Sequence, residues 1–164
     1  MSINEEEILL TRKGYAQKQA RLQECLNLLH EGIPKRLKLA KEHDGELREN
    51  REYIDIEREK ELLETEVSRL EELLNNAKVI DEEEISTDKV GLGSRVILES
   101  DNHPGKQTVV ELVSPAEVDL ENGRISTKSP LGELLMGRRK GNKIKLKTAT
   151  STITYKIVGI QRSA

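Results

Sequence analysis

The sequence is poor in aromatic residues, in cysteine and in long apolar runs, and each shortage excludes a class of protein. It has no Trp or Phe, and its tyrosines are Tyr15, Tyr53 and Tyr155. A protein that stacks nucleic-acid bases on aromatic rings normally carries more of them. Cys25 is the one cysteine, so no intrachain disulfide can form. No run approaches the roughly 20 apolar residues of a membrane span, and the acidic N-terminus lacks a signal core. We therefore expect a soluble, cytoplasmic protein that binds no membrane.

An excess of positive charge is also lacking, which bears on the choice of partner. The formal net charge is −3, although 35% of the residues are charged. Nucleic-acid binding depends on Lys and Arg side chains that neutralise phosphates, so we expect little affinity for free nucleic acid. One basic strip does occur near the C-terminus, and it consists of Arg138, Arg139, Lys140, Lys143, Lys145 and Lys147. The sequence slightly favours a solvated hairpin over a docking surface for this strip.

The first half of the chain has the pattern of two long helices. Apolar residues recur at steps of three and four over residues 22–40 and again over residues 63–77, which is typical of a coiled-coil seam. Thr11 is the expected N-cap of the first helix. We expect Pro34 to kink that helix or to cost it a hydrogen bond rather than to end it. A tight turn at Gly45 would make the two helices antiparallel.

The second half has the pattern of a small α+β domain. Its β-rich runs, separated by turn residues, predict five strands: Arg95–Glu99, Thr108–Val113, Arg124–Thr127, Lys143–Thr148 and Ile153–Ile160. A short helix is predicted over Pro130–Met136, ended by Gly137. The sequence therefore predicts an α+β chain with a helical hairpin over residues 1–78, an acidic linker over 79–90 and a globular domain over 91–164.

Acidic residues concentrate between the two predicted helices, over residues 42–52. Charge alone favours a solvated turn, but carboxylates held close together repel one another unless something binds them. Mg²⁺ prefers carboxylate oxygens and usually keeps several water ligands. One or two carboxylates hold Mg²⁺ weakly, so these acids could complete a site that another molecule partly supplies. No P-loop, dinucleotide-binding or zinc-ligand motif competes with this reading of the sequence.

These features together resemble the Gre family of bacterial transcript cleavage factors, and most closely its GreA type. The resemblance extends over nearly the whole chain, and it rests on the order and spacing of short segments. The main ones are Leu10–Tyr15, Leu47–Tyr53, Asn76–Asp81, Val90–Ser94, Glu121–Ser126 and Ser129–Gly137. The resemblance implies an N-terminal antiparallel coiled coil and a C-terminal domain similar to the FK506-binding proteins.

The resemblance also implies an accessory factor that is not itself an enzyme. The globular domain would dock on RNA polymerase, and the coiled coil would enter its secondary channel. The acidic tip would help to hold a Mg²⁺ ion shared with the polymerase active site, where backtracked RNA is cut near its 3′ end. No tightly bound cofactor of its own is implied. Prolyl isomerase activity is not expected, because residues 79–164 contain a single aromatic, Tyr155.

The resemblance assigns roles to individual residues. Glu46 and Glu49 would be the catalytic and metal-binding carboxylates, with Asp44 and Asn50 as further catalytic residues. The residues expected to contact the nascent RNA or the channel are Lys41, Arg48 and Tyr53. Those expected to dock on the polymerase are Ser129, Pro130, Leu131 and Gly132.

The tip departs from the family pattern in two ways. The family usually has one residue between the His and the Asp that begins its acidic motif. Here two residues, Asp44 and Gly45, follow His43, and the position of that Asp is held by Glu46. Glu is longer by one methylene, and catalytic geometry is sensitive at that scale. The alternative is therefore a Gre-like inhibitor that occupies the channel and blocks cleavage. A pure coiled-coil scaffold is a third hypothesis, but it leaves the second domain unexplained.

Overall fold

A computed structural model describes residues 8–43 and 50–163, and it divides them into two compact units. The helical unit comprises residues 15–77 as far as they are described. The sheet unit comprises residues 8–14 together with residues 78–163. None of the described helices combines the length and the apolar character that a membrane span requires.

The helical unit contains the two arms of a helical hairpin. The first arm consists of α1 (Arg12–Asn27), a π-helical turn (Leu28–Gly32) and α2 (Ile33–His43). The second arm is α3 (Arg51–Asn76). Thr11 caps the first arm as predicted, because its Oγ1 accepts a hydrogen bond of 3.0 Å from the backbone N–H of Gly14.

The first arm continues through Pro34, as predicted, and the π-helical turn lies immediately before this residue. The N–H of Ile33 bonds to the carbonyl of Leu28, five residues back. Cys25, Leu29 and Ile33 are spaced by four residues, and each such step rotates about 40° beyond a full turn of a regular α-helix. The wider π turn absorbs this excess rotation. It therefore keeps the apolar residues before and after Pro34 in one buried cluster.

That cluster holds the two arms together. Cys25 is fully buried in the cluster, and this burial raises the pKa of its thiol. Beside it, the guanidinium of Arg21 donates hydrogen bonds of 2.6 and 2.9 Å to the carboxylate of Glu66 and lowers the pKa of that group. The buried members of the cluster are Cys25, Ile33, Ala40, Ile56 and Leu63.

The sheet unit is built on a five-stranded sheet with the order β5-β4-β3-β7-β6. All neighbouring strands are antiparallel except β4 and β5, which are parallel. A separate two-stranded sheet pairs β1 (Ile8–Leu10) with β2 (Ala77–Val79). The strands of the large sheet are β3 (Ser94–Ser100), β4 (Gln107–Val113), β5 (Arg124–Ser126), β6 (Lys143–Lys147) and β7 (Thr152–Arg162).

The five strands predicted from the sequence are confirmed to within two residues at each end. The predicted short helix is also confirmed as α4 (Pro130–Leu135), and Gly137 follows it with a φ of 76°. Short 3₁₀ turns occur at Glu82–Glu84, Pro115–Glu117 and Leu120–Asn122. One face of the sheet and α4 enclose the core, whose buried residues are Val90, Val96, Leu98, Val110, Leu112, Leu135, Ile144 and Ile157.

A buried carboxylate, that of Glu117, joins the start of α1 to the large sheet within the sheet unit. Its side chain is fully buried, and it accepts hydrogen bonds from the backbone N–H of Thr11 at 3.0 Å and from the Thr11 hydroxyl at 2.7 Å. The guanidinium of Arg124, at the start of β5, donates to the same carboxylate at 2.8 Å. A negative charge at a helix N-terminus is also favoured by the helix dipole.

Gly14 lies directly against this carboxylate. A Cβ atom at position 14 would overlap the Glu117 carboxyl group, so only glycine leaves room for it there. The sequence motif Thr11-Arg12-Lys13-Gly14 therefore has a packing function, in addition to starting the helix.

We expect Gly14→Ala to lower the stability of the sheet unit by about 2 kcal/mol, because the carboxylate must leave Thr11 or Arg124. Glu117→Gln should cost about 3 kcal/mol, because it removes the charge of a buried carboxylate that bonds to both Thr11 and Arg124. Native-state hydrogen exchange at the amides of Val96 and Leu112 would report the sheet alone. The matched control is Gly91→Ala, because that position has open space around it. Equal protection in both alanine variants would contradict the packing function.

Candidate functional site

The predicted catalytic tip falls mostly outside the described part of the chain. Asp44, Glu46, Arg48 and Glu49 lie there, so the roles assigned to them stay predictions. The described site residues nearest to this segment are Lys41, in the last turn of α2, and Asn50, which precedes α3.

Asn50 closes the base of the tip segment. Its Oδ1 accepts a hydrogen bond of 3.2 Å from the N–H of Tyr53 and so caps α3. Its Nδ2 donates a hydrogen bond of 3.0 Å to the carbonyl of Ala40 in α2. The residue is 5% exposed, and both polar atoms of its side chain are therefore used inside the protein. Asn50 ties the two arms together where the acidic segment leaves and rejoins them.

Lys41 and Tyr53 form a second contact between the arms next to Asn50. The ammonium of Lys41 lies 5.8 Å from the centre of the Tyr53 ring, which is within the range of a cation–π interaction. Tyr53 is half-buried and packs against the apolar cluster of the hairpin, whereas Lys41 is exposed. The structure thus brings together three residues that were predicted separately, Lys41, Asn50 and Tyr53.

We expect Asn50→Ala to destabilise the helical unit by about 2 kcal/mol, since it removes the cap and leaves the Ala40 carbonyl without its donor. Asn50→Ser should recover about half of this loss, because serine can cap α3 but is too short to reach Ala40. Thermal unfolding followed by far-UV circular dichroism would measure both changes.

The control for this series is Asn75→Ala, which removes an exposed asparagine from the same helix. Its melting temperature should stay close to that of the native chain. If Asn50→Ala behaved like Asn75→Ala, Asn50 would have no role in closing the hairpin.

The four residues predicted to dock on the polymerase have different surroundings. Ser129 caps α4, with its Oγ accepting from Gly132 N–H at 3.1 Å and donating to the Ser126 carbonyl at 2.6 Å. Gly132 is buried so close to the Ser126 carbonyl that a Cβ atom would overlap it. Leu131 is half-buried against the core. Only Pro130 is exposed, so this motif mainly shapes the surface beside it.

An apolar groove of about 570 Å³ lies beside this motif within the sheet unit. Met136 stands at its edge with 40% of its surface exposed, and the hydroxyl of Ser114 in its wall is buried with no hydrogen-bond partner in the described chain. An unpaired buried hydroxyl is costly to the folded state. The lining residues are Ile8, Leu9, Leu92, Ser114, Pro115, Ala116, Thr127, Lys128 and Met136.

The groove and the buried Glu117 were missed by reasoning from the sequence. Glu117 is the last residue of a 3₁₀ turn in the segment between β4 and β5, and nothing in its neighbours along the chain marks it as buried. The groove is assembled from five separate parts of the chain, which only the fold brings together. A hint was available in Gly14, because a glycine in the first turn of a helix usually has a packing reason.

The described residues contain no cluster of side chains that could hold a metal ion. Among residues 8–43 and 50–163, no group of three or more His, Cys, Asp and Glu side chains lies close enough together to hold a metal ion. Asp44, Glu46 and Glu49 lie outside the described residues, so the shared Mg²⁺ stays a prediction.

Two family models match the chain, one for each half. Residues 8–79 match the model described as "Transcription elongation factor, N-terminal". Residues 85–162 match the one described as "Transcription elongation factor, GreA/GreB, C-term". Together the two matches leave only the termini and a short connecting segment uncovered.

Similar proteins cover nearly the full length of the chain. "Transcription elongation factor GreA" of Syntrophomonas wolfei subsp. wolfei is 33% identical, over 96% of this chain and 98% of that protein. The protein of the same name from Chloroherpeton thalassium is 34% identical, over 93% of this chain and 95% of its own length. Among solved structures, the chain is similar to GreA factor homolog 1 (Gfh1) of Thermus thermophilus, with 29% identity, coverage of 95% and 99%, and a TM-score of 0.42.

Proposed function

The chain belongs to the GreA/GreB family of transcription elongation factors, and we propose that it stimulates RNA polymerase to cleave backtracked RNA. In this proposal the helical hairpin enters the secondary channel, and the nascent RNA 3′ end is the substrate of the polymerase, not of this chain. The active site belongs to the polymerase and the factor adds side chains to it, so in this proposal the factor is not an independent nuclease.

The observation that carries the proposal is the combination of a full-length family match with the closed base of the acidic segment. The match covers residues 8–79 and 85–162. The bond between Asn50 and Ala40 holds together the ends of the segment that carries the acids. Holding reactive groups in a restricted volume reduces the entropy lost when they reach their target. Asn50 in this proposal is a positioning residue, whereas the carboxylates act on the reaction.

Glu46 and Glu49 are the carboxylates that we assign to the shared Mg²⁺, with Asp44 as a further acid of the tip. Carboxylate oxygens are the ligands that Mg²⁺ prefers, and two of them leave coordination positions for water and for the polymerase. When bound, the ion would activate a water molecule for attack on the RNA phosphate. Lys41, close to the ring of Tyr53, and Arg48 would offer positive charge to the RNA backbone.

We further propose that the two arms form an antiparallel coiled coil. Three contacts support this arrangement, because they pair progressively later residues of the first arm with progressively earlier residues of the second. Arg21 bonds to Glu66, Arg36 bonds to Glu59 at 2.7 Å, and Ala40 bonds to Asn50. The likeness of the sheet unit to the FK506-binding proteins is likewise retained as a proposal. It is supported by a mainly antiparallel sheet that packs against a short helix.

The experiment that tests the proposal is RNA release from a backtracked elongation complex in the presence of Mg²⁺. The native chain should accelerate cleavage at the 3′ side, and Glu46→Ala/Glu49→Ala should lose at least about 100-fold of that acceleration while still binding the polymerase. The matched control is Glu71→Ala/Glu72→Ala, which removes two exposed acids from α3 far along the chain from the tip. It should keep full activity.

Two outcomes would contradict the proposal. If the native chain binds the polymerase but slows cleavage, the altered tip has produced the channel inhibitor that the sequence left as the alternative. If both double variants retain full activity, the carboxylates of the tip have no catalytic part.

We also propose that the apolar groove of the sheet unit, with exposed Pro130 beside it, docks on the polymerase. Met136→Lys should weaken binding to the polymerase about tenfold, because it places a charge in an apolar interface. Val109→Lys is the control, since Val109 has a similar exposed fraction, 38%, and lies outside the groove. Equal binding of the two variants would show that the groove is not the docking surface.

A further inference from the structure

The C-terminal part of the chain carries positive charge that no acidic residue offsets. Eight of the 27 Lys and Arg residues lie after Glu133, and none of the 30 Asp and Glu residues does. The rest of the chain is strongly acidic by comparison. A local surface with such a charge can attract a polyanion even though the net charge of the whole chain is −3.

The fold gathers part of this charge on one face of the hairpin formed by β6 and β7. Strand β6 is at the edge of the sheet, and its lysines alternate with Ile144 and Leu146, which point toward the core side. In the antiparallel register, each lysine lies opposite a residue of β7 on the same face. We call these six residues the donor face: Lys143, Lys145, Lys147, Thr152, Thr154 and Lys156.

Every side chain of the donor face can donate a hydrogen bond, and none carries a negative charge. Within the described chain, Lys143 is paired with Asp101 at 3.6 Å, and Lys156 lies opposite Glu99 of β3. Lys145 and Lys147 have no ion pair in the same part of the chain, and both are exposed. The unneutralised charge is therefore centred on these two lysines.

Protection of a free sheet edge explains only part of this pattern. Lysines on an edge strand discourage other strands from pairing with it. That function does not require the acids to be absent from the whole C-terminal segment, nor does it require the hydroxyls of Thr152 and Thr154 to lie beside the lysines. Because lysines on an edge strand discourage strand pairing, they also argue against an acidic peptide that adds to the edge as a further strand. A ligand that uses the side chains and not the backbone of β6 fits better.

The spacing of the lysines suits a regular row of phosphates. Residues two apart on an antiparallel strand are separated by about 6.8 Å, and phosphates along one strand of duplex DNA rise by about 3.4 Å each. Because the backbone winds around the helix axis, successive phosphates of one strand lie about twice that rise apart, so Lys145 and Lys147 match two neighbouring phosphates. Thr hydroxyls and Lys ammonium groups are common phosphate contacts. The donor face has no aromatic or amide side chain that could read a base.

We propose that the donor face binds the phosphate backbone of nucleic acid without sequence selectivity, through Lys145 and Lys147 with Thr152 and Thr154. This goes beyond the proposed cleavage function and does not depend on it. It revises the expectation from composition that the chain has little affinity for free nucleic acid. The net charge of the whole chain combines an acidic hairpin with a basic sheet edge. In the fold these charges lie on different elements, so the net charge does not describe the sheet edge.

The test is fluorescence anisotropy of the full-length chain with a labelled DNA duplex of mixed sequence, from low to physiological salt. Lys145→Gln/Lys147→Gln should weaken binding about tenfold at physiological salt and reduce the slope of log K against log salt by about 2. Lys145→Arg/Lys147→Arg should bind as the native chain does. The control is Lys78→Gln/Lys106→Gln, which removes the same charge from exposed positions of the same unit.

Several outcomes would overturn the proposal. Failure of the native chain to bind DNA even at the lowest salt is one. An equal loss of affinity in the two glutamine variants is another, because it would indicate an effect of net charge alone. Unequal affinities for duplexes of different sequence would indicate base reading. Binding of labelled poly-glutamate but not of DNA would assign the face to an acidic protein instead. All substituted lysines are exposed, so unchanged melting temperatures would verify that the variants are folded.

Discussion

The buried carboxylate of Glu117 is the interaction on which the start of the long first arm depends. A helix begins with backbone N–H groups that lack partners, and here the N–H of Thr11 finds one in a side chain from the segment between β4 and β5. The charge of that side chain is balanced by Arg124, and its volume is accommodated because residue 14 is glycine. The carboxylate of Glu117 thus accepts a hydrogen bond at the helix start, pairs with the buried guanidinium of Arg124 and fills the space beside Gly14.

The hairpin uses local irregularities to hold a regular shape. The π-helical turn before Pro34 corrects the drift of a four-residue apolar spacing, and so the buried cluster continues on both sides of the proline. Near the acidic segment, the single side chain of Asn50 both caps α3 and bonds to α2. Both features allow a narrow pair of helices with few apolar residues to present an acidic segment at its end.

Opposite charges concentrate in different elements of the chain. Acids dominate the hairpin and its tip, where a divalent cation or a cationic channel would stabilise them. Cations dominate the C-terminal strands, where a phosphate backbone would neutralise them. A net charge of −3 therefore describes neither part. The groove of the sheet unit adds an apolar surface beside exposed Pro130, so the chain offers three chemically distinct contact regions.

The sequence by itself determined the order and type of the elements, because the helix and strand periods are local properties of a chain. The seams of both arms, the cap at Thr11 and the strands of the sheet all follow from such patterns. Tertiary structure alone decided which distant residues meet. Glu117 reaches Thr11, and the lysines of β6 come to lie opposite Thr152 and Thr154, only because strand order and register bring them there. Charges and polar groups are recognised as functional by their neighbours in space, and those neighbours are set by the packing of the whole chain.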